Sequence, residues 1–594
     1  MKKWIVQAPP PSDFINSHPE LPPIAARLLW NRNIHTQEQI DEFLNPDYLT
    51  DVHDPFLFKD MRKAVNIIFE AIKSDKNIMV HGDYDADGVC ASTILISTLK
   101  NVGAKKVGVF LPHREIDGYG INMNTVKSFI KQKIDLIITC DCGISNFDEI
   151  AAAKDAGMQV ILTDHHTVPA ELPGADAIIH ALVPNEPYPD KGLSGAAVAF
   201  KLAQALIKTS AENGEPLQDK QSHEGYEKWL LDLVAIATIG DMVPLVGESR
   251  TLTRYGLTVL NKTKNIGLRE LLIASSLADE NGRSKKGSYT SETVSFQIVP
   301  RLNAAGRMDH ANTALALLMA EKNEEALALA LQLNKNNTDR QKLTEQMVEQ
   351  AINQITESKQ ESNSVLIVMG EKWSTGIIGL IAGKIKDLYY KPSIVLGSDG
   401  NETTASGRSV PQFNMIAALQ SMPQYFSKFG GHPLACGFSL KSKDLLKDFS
   451  KKINALAKKQ TTGIDLVPQI VIDAEVNLED VDWKLYDILQ KFEPFGQTNE
   501  EPLYLAKGLT VIEISPVGQV GRHLKLLVKH NSHLVKKTIA FGFGNTEKHP
   551  ADWKKTLKPG DKIDMVFSVS VNEWNGNREL ELSVKDMKKA NASD

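Results

Sequence analysis

A chain of 594 residues is too long for one hydrophobic core, and at about 150 residues per domain it divides into three to five units. Hydrophobic residues at 42% and charged residues at 24% are ordinary for a soluble globular protein, and no apolar run approaches the roughly 18 residues that a membrane span needs. The net charge of −6 excludes a uniformly basic nucleic-acid coat but not a local basic groove, because steering depends on where charges sit.

The start, Met1 to Ala8 followed by three prolines, lacks the apolar core of a secretory signal. Four cysteines (Cys90, Cys140, Cys142, Cys436) give no disulfide framework for so large a chain, which fits a reducing compartment. A cytoplasmic protein is expected. Residues 1–57 carry Pro-rich and short helical signals, among them Ala25–Trp30 and Gln39–Leu44, and read as a lead-in that packs on the next domain.

From about 58 to 245 short β-branched runs at 78–80, 107–110, 135–139, 159–163 and 177–183 alternate with helical segments such as 121–131 and 147–156. The alternation predicts an α/β domain, a parallel sheet with helices on both faces. Three of these strands end in reactive residues: His81-Gly82-Asp83-Tyr84-Asp85-Ala86-Asp87-Gly88, then Cys140-Asp141-Cys142, then Asp164-His165-His166. The apolar run Trp229–Ile239 reads as a buried helix that delivers Asp241 from the turn Gly240–Pro244. Ligands of an open α/β sheet bind beyond the carboxyl ends of its strands, so these groups can converge.

Around 300 the basic segment Pro300–Arg307 is followed by an interval free of Gly and Pro up to Gly370, in which Leu343, Met347, Ala351 and Ile355 are spaced four apart. A helix of about 50 Å fits and reads as a connector. A second, smaller α/β unit opens at Val365–Met369 and carries two Gly-containing loops, Ser406-Gly407-Arg408-Ser409 and Phe429-Gly430-Gly431-His432. Small residues let backbone approach a phosphate, and an arginine grips it with a planar fork. From about 466 to 590 the pattern changes to period two at 470–472, 524–528, 565–569 and 580–584, with the hairpin signal Asn575-Gly576, which predicts a small barrel of the oligonucleotide-binding type. Lys507, Arg522, Lys525, Lys529, Lys536 and Lys537 face a single acid there, Glu513, and Phe541, Phe543 and Trp574 are at hand to stack on bases.

Clustered carboxylates repel and raise one another's pKa, so a fold that keeps them ionised normally sets a cation among them. The Asp-x-Asp-x-Asp-Gly pattern also opens a calcium loop, but the twelfth position from Asp83 is Ile94 where a bidentate Glu is needed, and a strand precedes it. Carboxylates with imidazoles suit Mn²⁺ or Mg²⁺ better than zinc, and strand alternation, if it continues through Asp141, turns the thiols of Cys140 and Cys142 away. Two ions about 3.5–4 Å apart around Asp141 make phosphoester hydrolysis the reaction class, and the absence of a Walker loop argues against nucleotide-powered work.

Gly82–Gly88, Cys140–Gly143, Asp164–His166, Gly240–Pro244, Arg301–Arg307, Ser406–Arg408 and Gly430–His432, in this order, resemble the motifs of the RecJ single-strand-specific exonucleases of the DHH phosphoesterase superfamily. The resemblance implies a DHH domain (58–310), connecting helices (311–361), a DHHA1 substrate-binding domain (362–460) and an OB-fold (466–590). It implies two Mn²⁺ or Mg²⁺ ions, one on Asp85, Asp141 and His81, the other on Asp87, Asp141, His165 and Asp241, with Asp83 and His166 orienting ligands or touching the scissile phosphate. Arg301, Asn303, Arg307, Ser406, Arg408, Gly430, Gly431 and His432 would then line the DNA path. The implied activity is 5′→3′ removal of 5′-mononucleotides from single-stranded DNA in recombination and repair. The implied setting is a monomer, away from membranes, with single-strand-binding protein and a recombination helicase as partners. Hydrolysis of short RNA or cyclic dinucleotides is the alternative within this chemistry, and a non-catalytic replication scaffold the alternative outside it. The polar stretch 190–228 carries no functional reading.

Overall fold

Residues 1–47 and 467–594 form one compact unit and residues 48–466 a second. The structure, a computed structural model, describes residues 2–398, 402–530, 534–545, 551–574 and 577–590. None of its described helices is long and apolar enough to cross a membrane.

The first strand, β1 (Lys3–Val6), finds its partner far away in sequence and belongs to the unit described last. In residues 48–466, β2 (Ile78–His81), β3 (Val107–Phe110), β4 (Leu136–Cys140), β5 (Gln159–Thr163) and β6 (Ala177–Ile179) form an all-parallel sheet of order β3-β2-β4-β5-β6. Their side chains alternate between two cores. Ile78, Val80, Leu136, Ile138 and Ile161 face one packed by the helices Ala86–Asn101, Gly195–Glu212 and Leu231–Gly240, whereas Met79, Ile137, Val160 and Leu162 face a smaller one holding Val126, Phe129 and Ile150. Both faces are covered, which is why these strands read as continuous apolar runs.

The connecting helix Asn323–Glu357 has 35 residues, roughly 52 Å at 1.5 Å per residue. Its Ala330 and Leu333 sit in the first core and its Met347, Ala351 and Ile355 in the next. That next domain is a sheet of order β10-β11-β9-β8-β7. It comprises β7 (Leu366–Glu371), β8 (Ser393–Ser398), β9 (Thr403–Arg408), β10 (Phe426–His432) and β11 (Ala435–Leu440), parallel between β7 and β8 and antiparallel elsewhere. Ser406–Arg408 and Phe429–His432, read from sequence as loops, are thus the ends of strands. Glycine in a strand marks close backbone approach as readily as a turn: a Cβ on Gly407 would lie 2.7 Å from Cys436 Sγ, and Gly431, at φ +133°, has room for none.

In the other unit β12 (Gln469–Ile472) pairs in parallel with β1, so this run, read as a barrel strand, belongs to a separate two-stranded sheet. The barrel proper is built from β13 (Ala474–Glu475), β14 (Tyr504–Val517), β15 (His523–Lys529), β16 (Val535–Ala540), β17 (Lys562–Trp574) and β18 (Asn577–Lys589), and the β14–β17 pairing closes it. β17 and β18 pair antiparallel up to Trp574 opposite Asn577; the turn Asn575-Gly576 and the ring of Trp574 lie outside the described residues. Of the expected lead-in, residues 48–57 pack on the parallel-sheet domain through Tyr48, Val52 and Phe56, whereas residues 1–47 belong to the barrel unit. Phe14, Leu28, Leu29, Ile40 and Phe43 share one core with Phe492, Tyr504, Leu526 and Phe567 of the barrel unit. Trp4 donates its indole N–H to Asp586 at 2.8 Å, and Arg32 donates to Asn499 at 2.7 Å.

Candidate metal centre and its basic surround

Asp85 and Asp87 are each held by backbone donors that leave carboxylate lone pairs to spare. Asp85 caps the helix Ala86–Asn101, one oxygen accepting from Asp87 N and Gly88 N at 3.0 and 3.2 Å. Asp87 accepts from the backbone of Gly195 and Ala196 at 2.8 and 2.7 Å, the first turn of the helix that begins in the stretch without a sequence reading. Donors at a helix N-terminus suit an anion, and the Ser194 cap before Gly195 was the signal available in the sequence. Asp241 follows the last turn of the helix Leu231–Gly240, as the apolar run predicts.

Asp141 leaves β4 in the left-handed region at φ +62°, its N–H bonded to Thr163 O at 3.0 Å. Strand alternation therefore stops at Cys140, and the premise that set the thiols aside does not apply. The thiols nevertheless lie elsewhere: Cys140 is buried against Ser92 at 3.3 Å and Cys142 against His81 Nδ1 at 3.5 Å. Burial raises both, Cys140 to about 12.

Three groups of ligand atoms gather within 4.8 Å of one another: Asp83, Asp85 and Asp141; Asp87, His165 and Asp241; and Asp141, His165 and His166. His165 Nε2 lies 3.1 Å from Asp141 Oδ1, 3.6 Å from Asp241 Oδ2 and 3.8 Å from Asp87 Oδ2, yet it and Asp141 Oδ1 make no hydrogen bond, and neither does Asp83 Oδ1. Buried ligand atoms facing one another with no hydrogen bond between them are the pattern a cation resolves. Burial first, and the neighbouring carboxylates next, push Asp83 and Asp141 well up, Asp87 to about 7 and Asp241 to about 8. The carboxylate and imidazole donors fit Mn²⁺ or Mg²⁺.

The two adjacent imidazoles are in opposite states. Burial and the charge of His166 bring His165 down to about 3, a neutral ring suited to a cation. His166 rises to about 9 against its own burial, because Asp164 accepts from its Nδ1 at 2.8 Å. Asp164, fully buried, also accepts from Ile144 N, His165 N and His166 N, and falls to about 2 although burial opposes it. Tyr119, which sequence reasoning missed, reaches both His166 Nδ1 (3.0 Å) and the Asp141 carbonyl (3.3 Å).

His81 is not brought to the cluster. It is fully buried, packed on Phe110 and Cys142, and belongs to none of the ligand groups, while Asp83 takes the place assigned to it beside Asp85 and Asp141. Burial holds its ring near 4.

Asn303 turns inward rather than lining a path: its Oδ1 accepts from Ala86 N at 2.7 Å and so pins the Asp85–Asp87 turn. Arg307 donates to Gly376 O at 2.8 Å, and burial together with Arg114, Arg340 and Arg408 lowers it to about 10. Arg301 reaches Asn334 Oδ1 at 2.9 Å, and Arg408 hydrogen-bonds Ser406 at 3.0 Å. Register puts Arg408 opposite Ala435 and Ala435 opposite His432, so His432 stands on the same row about 10 Å from Arg408, at the exposed end that also carries Gly430 and Gly431. Arg114, stacked over the Tyr84 ring at 4.7 Å, and Arg340 complete this positive surround; nothing in their local sequence marks them.

On the barrel, Lys507 pairs with Glu475 at 3.0 Å, Lys537 with Glu579 at 2.6 Å, and Lys536 donates to Val481 O, which leaves Arg522, Lys525 and Lys529 of the basic run without a salt bridge among the described residues. Phe541 is 62% exposed, whereas Phe543, expected on the surface, is in the core.

A parallel sheet with carboxylates and imidazoles converging at its strand ends defines a metal-dependent phosphoesterase. Models of the DHH family N-terminal domain, the DHHA1 domain and the RecJ OB domain match residues 77–238, 362–459 and 472–586. The chain is 35% identical over 589 residues to the single-stranded-DNA-specific exonuclease RecJ of Bacillus subtilis, covering 98% of this chain and 70% of that one. It is 31% identical to the RecJ of Thermus thermophilus, covering 96% and 76%. The crystal structure of Thermus thermophilus RecJ in complex with Mn²⁺ superposes with a TM-score of 0.80 at 29% identity, covering 99% of this chain and 80% of that one. The complex with Mg²⁺ gives 0.74 at 27%, covering 99% and 79%. The chain belongs to the RecJ family of single-stranded-DNA-specific exonucleases.

Proposed function

We propose that this chain degrades single-stranded DNA from its 5′ end to 5′-mononucleotides by two-metal hydrolysis, in recombination and repair in the cytoplasm. The observation that carries the reading is His165 Nε2 facing three carboxylates with no hydrogen bond to any of them. Asp83, Asp85 and Asp141 would hold one ion, and Asp87, His165 and Asp241 the other, with Asp141 reaching both. Mn²⁺ or Mg²⁺ bound there supplies an activated water and neutralises charge at phosphorus. The protein's own groups do the rest. Asp164 keeps the proton on His166 Nδ1, which leaves Nε2 of a charged ring for the substrate. Arg307, Arg408 and Arg301 track the phosphates, and Asn303 keeps the Asp85–Asp87 turn in place. A monomer working beside a single-strand-binding protein and a recombination helicase fits this activity.

Single-stranded DNA labelled at either end, with Mn²⁺ or Mg²⁺, tests the reading. The 5′ label should appear at once as a mononucleotide, and Asp141→Ala should abolish its release. Early release of the 3′ label would reverse the polarity. Cleavage of cyclic dinucleotides or very short RNA, with long single strands left whole, would reject the substrate.

A further inference from the structure

The stretch 190–228, silent in the sequence, carries a fully buried lysine that none of the steps above uses. Lys201 stands six residues into the helix Gly195–Glu212, about 9 Å along its axis from the Gly195 N–H that holds Asp87. Its Nζ meets Glu248 Oε1 at 2.6 Å, and its other protons go to His53 O at 2.7 Å and Gln204 Oε1 at 2.8 Å. Glu248, 1% exposed, lies in the first turn of the helix Gly247–Leu260, seven residues after Asp241. It also accepts from His53 N at 3.0 Å and from the Tyr188 hydroxyl at 2.6 Å. Every donor of the ammonium and both oxygens of the carboxylate are thus engaged.

Stability alone does not account for this pair. Desolvation of two buried charges roughly offsets their attraction, and apolar side chains of similar size are often neutral or stabilising in their place; what the pair supplies is a fixed geometry. Here the geometry joins the two segments that bring acids to one ion group. Asp87 is held at the start of the lysine's helix, and Asp241 comes from the turn before the glutamate's helix. A second tie runs beside the first. Asp190 accepts from Gly192 N at 2.7 Å and Ser249 N at 3.2 Å, and Ser249 Oγ donates to Gly192 O at 2.9 Å. A Cβ on Gly192 would lie 3.8 Å from Pro244 of the Asp241 turn. Residues 190–194 are therefore gripped by the segment that follows Asp241 just before they enter the helix that holds Asp87. His165, the third member of the group, follows β5 and stands outside both ties.

We propose that the ties from Lys201 to Glu248 and from Asp190 to Ser249 fix the separation of Asp87 from Asp241, and with it the affinity of the ion held by Asp87, His165 and Asp241. These four are positioning residues, acting through the two acids. The proposal rests on the two-ion reading above. In the full-length chain, Lys201→Met with Glu248→Gln removes both charges, while the new amide can still accept from His53 N. Mn²⁺ binding is followed by titration calorimetry, and hydrogen exchange of the metal-free protein by mass spectrometry. The wild-type chain should take two ions. The double variant should keep one at wild-type affinity and bind the other about tenfold more weakly, the lower end for removing the support of a metal ligand. Without metal, peptides carrying Gly195 and Ala196 should exchange about tenfold faster, and those of the helix Met61–Lys73 at the wild-type rate. Equal weakening of both ions, or a lower melting temperature with affinities and exchange unchanged, overturns the positioning role alone. Where the double variant folds poorly, Ser249→Ala removes only the contact to Gly192 O and should weaken the same ion about threefold, the lower end for one hydrogen bond. Both ions at wild-type affinity in that variant overturn the role as well. A wild-type chain that takes fewer than two Mn²⁺ ions overturns the two-ion reading, and the positioning role falls with it.

Discussion

Gly195 stands where any side chain would strike the candidate centre: a Cβ there would lie 2.5 Å from Asp141 Oδ1, while its N–H already holds Asp87. Gly195→Ala should cost about 1–3 kcal/mol of stability, the range for overpacking a tight site. It should lower turnover about a hundredfold, as expected for a displacement near 1 Å among reacting groups. Steady-state hydrolysis alongside thermal unfolding checks this, and wild-type turnover would show that the helix end is not a fixed wall. Titration offers a second prediction. Asp87 and Asp241, near 7 and 8 in the metal-free fold against about 4 unfolded, keep protons that the unfolded chain has lost. Their contribution to the stability of the metal-free protein should therefore fall as pH rises from about 4 through 8, opposed between about 4 and 6.5 by His165 and His81, whose rings burial keeps neutral in the fold. Asp164 works in the opposite sense: held near 2, it contributes stability above its unfolded value that is lost as pH falls towards 2. Mn²⁺ at a hundred times its dissociation constant should add about 2.7 kcal/mol at pH 8. Urea titrations at pH 5 and pH 8, with and without Mn²⁺, measure both effects, and a metal-free protein more stable at pH 8 would contradict the assignment.

At the scale of elements, the parallel sheet was legible because its inner strands β2, β4 and β5 are covered on both faces, so burial writes itself as an unbroken apolar run, and the acids that follow each of these three runs mark the strands' carboxyl ends. The connecting helix was legible from a four-residue spacing that persists where it packs, between Leu343 and Ile355. Other features were not. The hairpin strands β9 and β10 end in glycines that propensity assigns to turns, because a pairing that brings backbone against Cys436 leaves no local trace. The family resemblance implies His81 as a ligand, yet the last residue of a buried strand points its ring into the sheet's packing, and Asp83, past the strand, reaches the cluster. Tyr119, Arg114 and Arg340 come from a loop and a helix with no motif of their own, and only the fold reveals them.

For the whole molecule, the barrel cannot be treated as a detachable C-terminal module. Phe14, Leu28, Leu29, Ile40 and Phe43 are buried only in the presence of 467–594, so a chain ending at residue 466 should carry an apolar, protease-sensitive N-terminal segment. Residues 48–466 alone, which hold every carboxylate of the centre, should melt cooperatively and be stabilised by Mn²⁺. Limited proteolysis and thermal scans of the two truncations compare them, and equal resistance of residues 1–47 in both lengths of chain would show that they need no partner. The pairing of β1 with β12 also fixes an order of events on the ribosome. At about 5–20 residues per second, the first strand waits of the order of a minute while residues 48–466 are made and can fold as a unit of their own. Throughout that interval the N-terminal segment is an unpaired edge with an uncovered apolar face, so newborn chains are open there to chaperone capture or to pairing with a neighbouring copy until synthesis is complete.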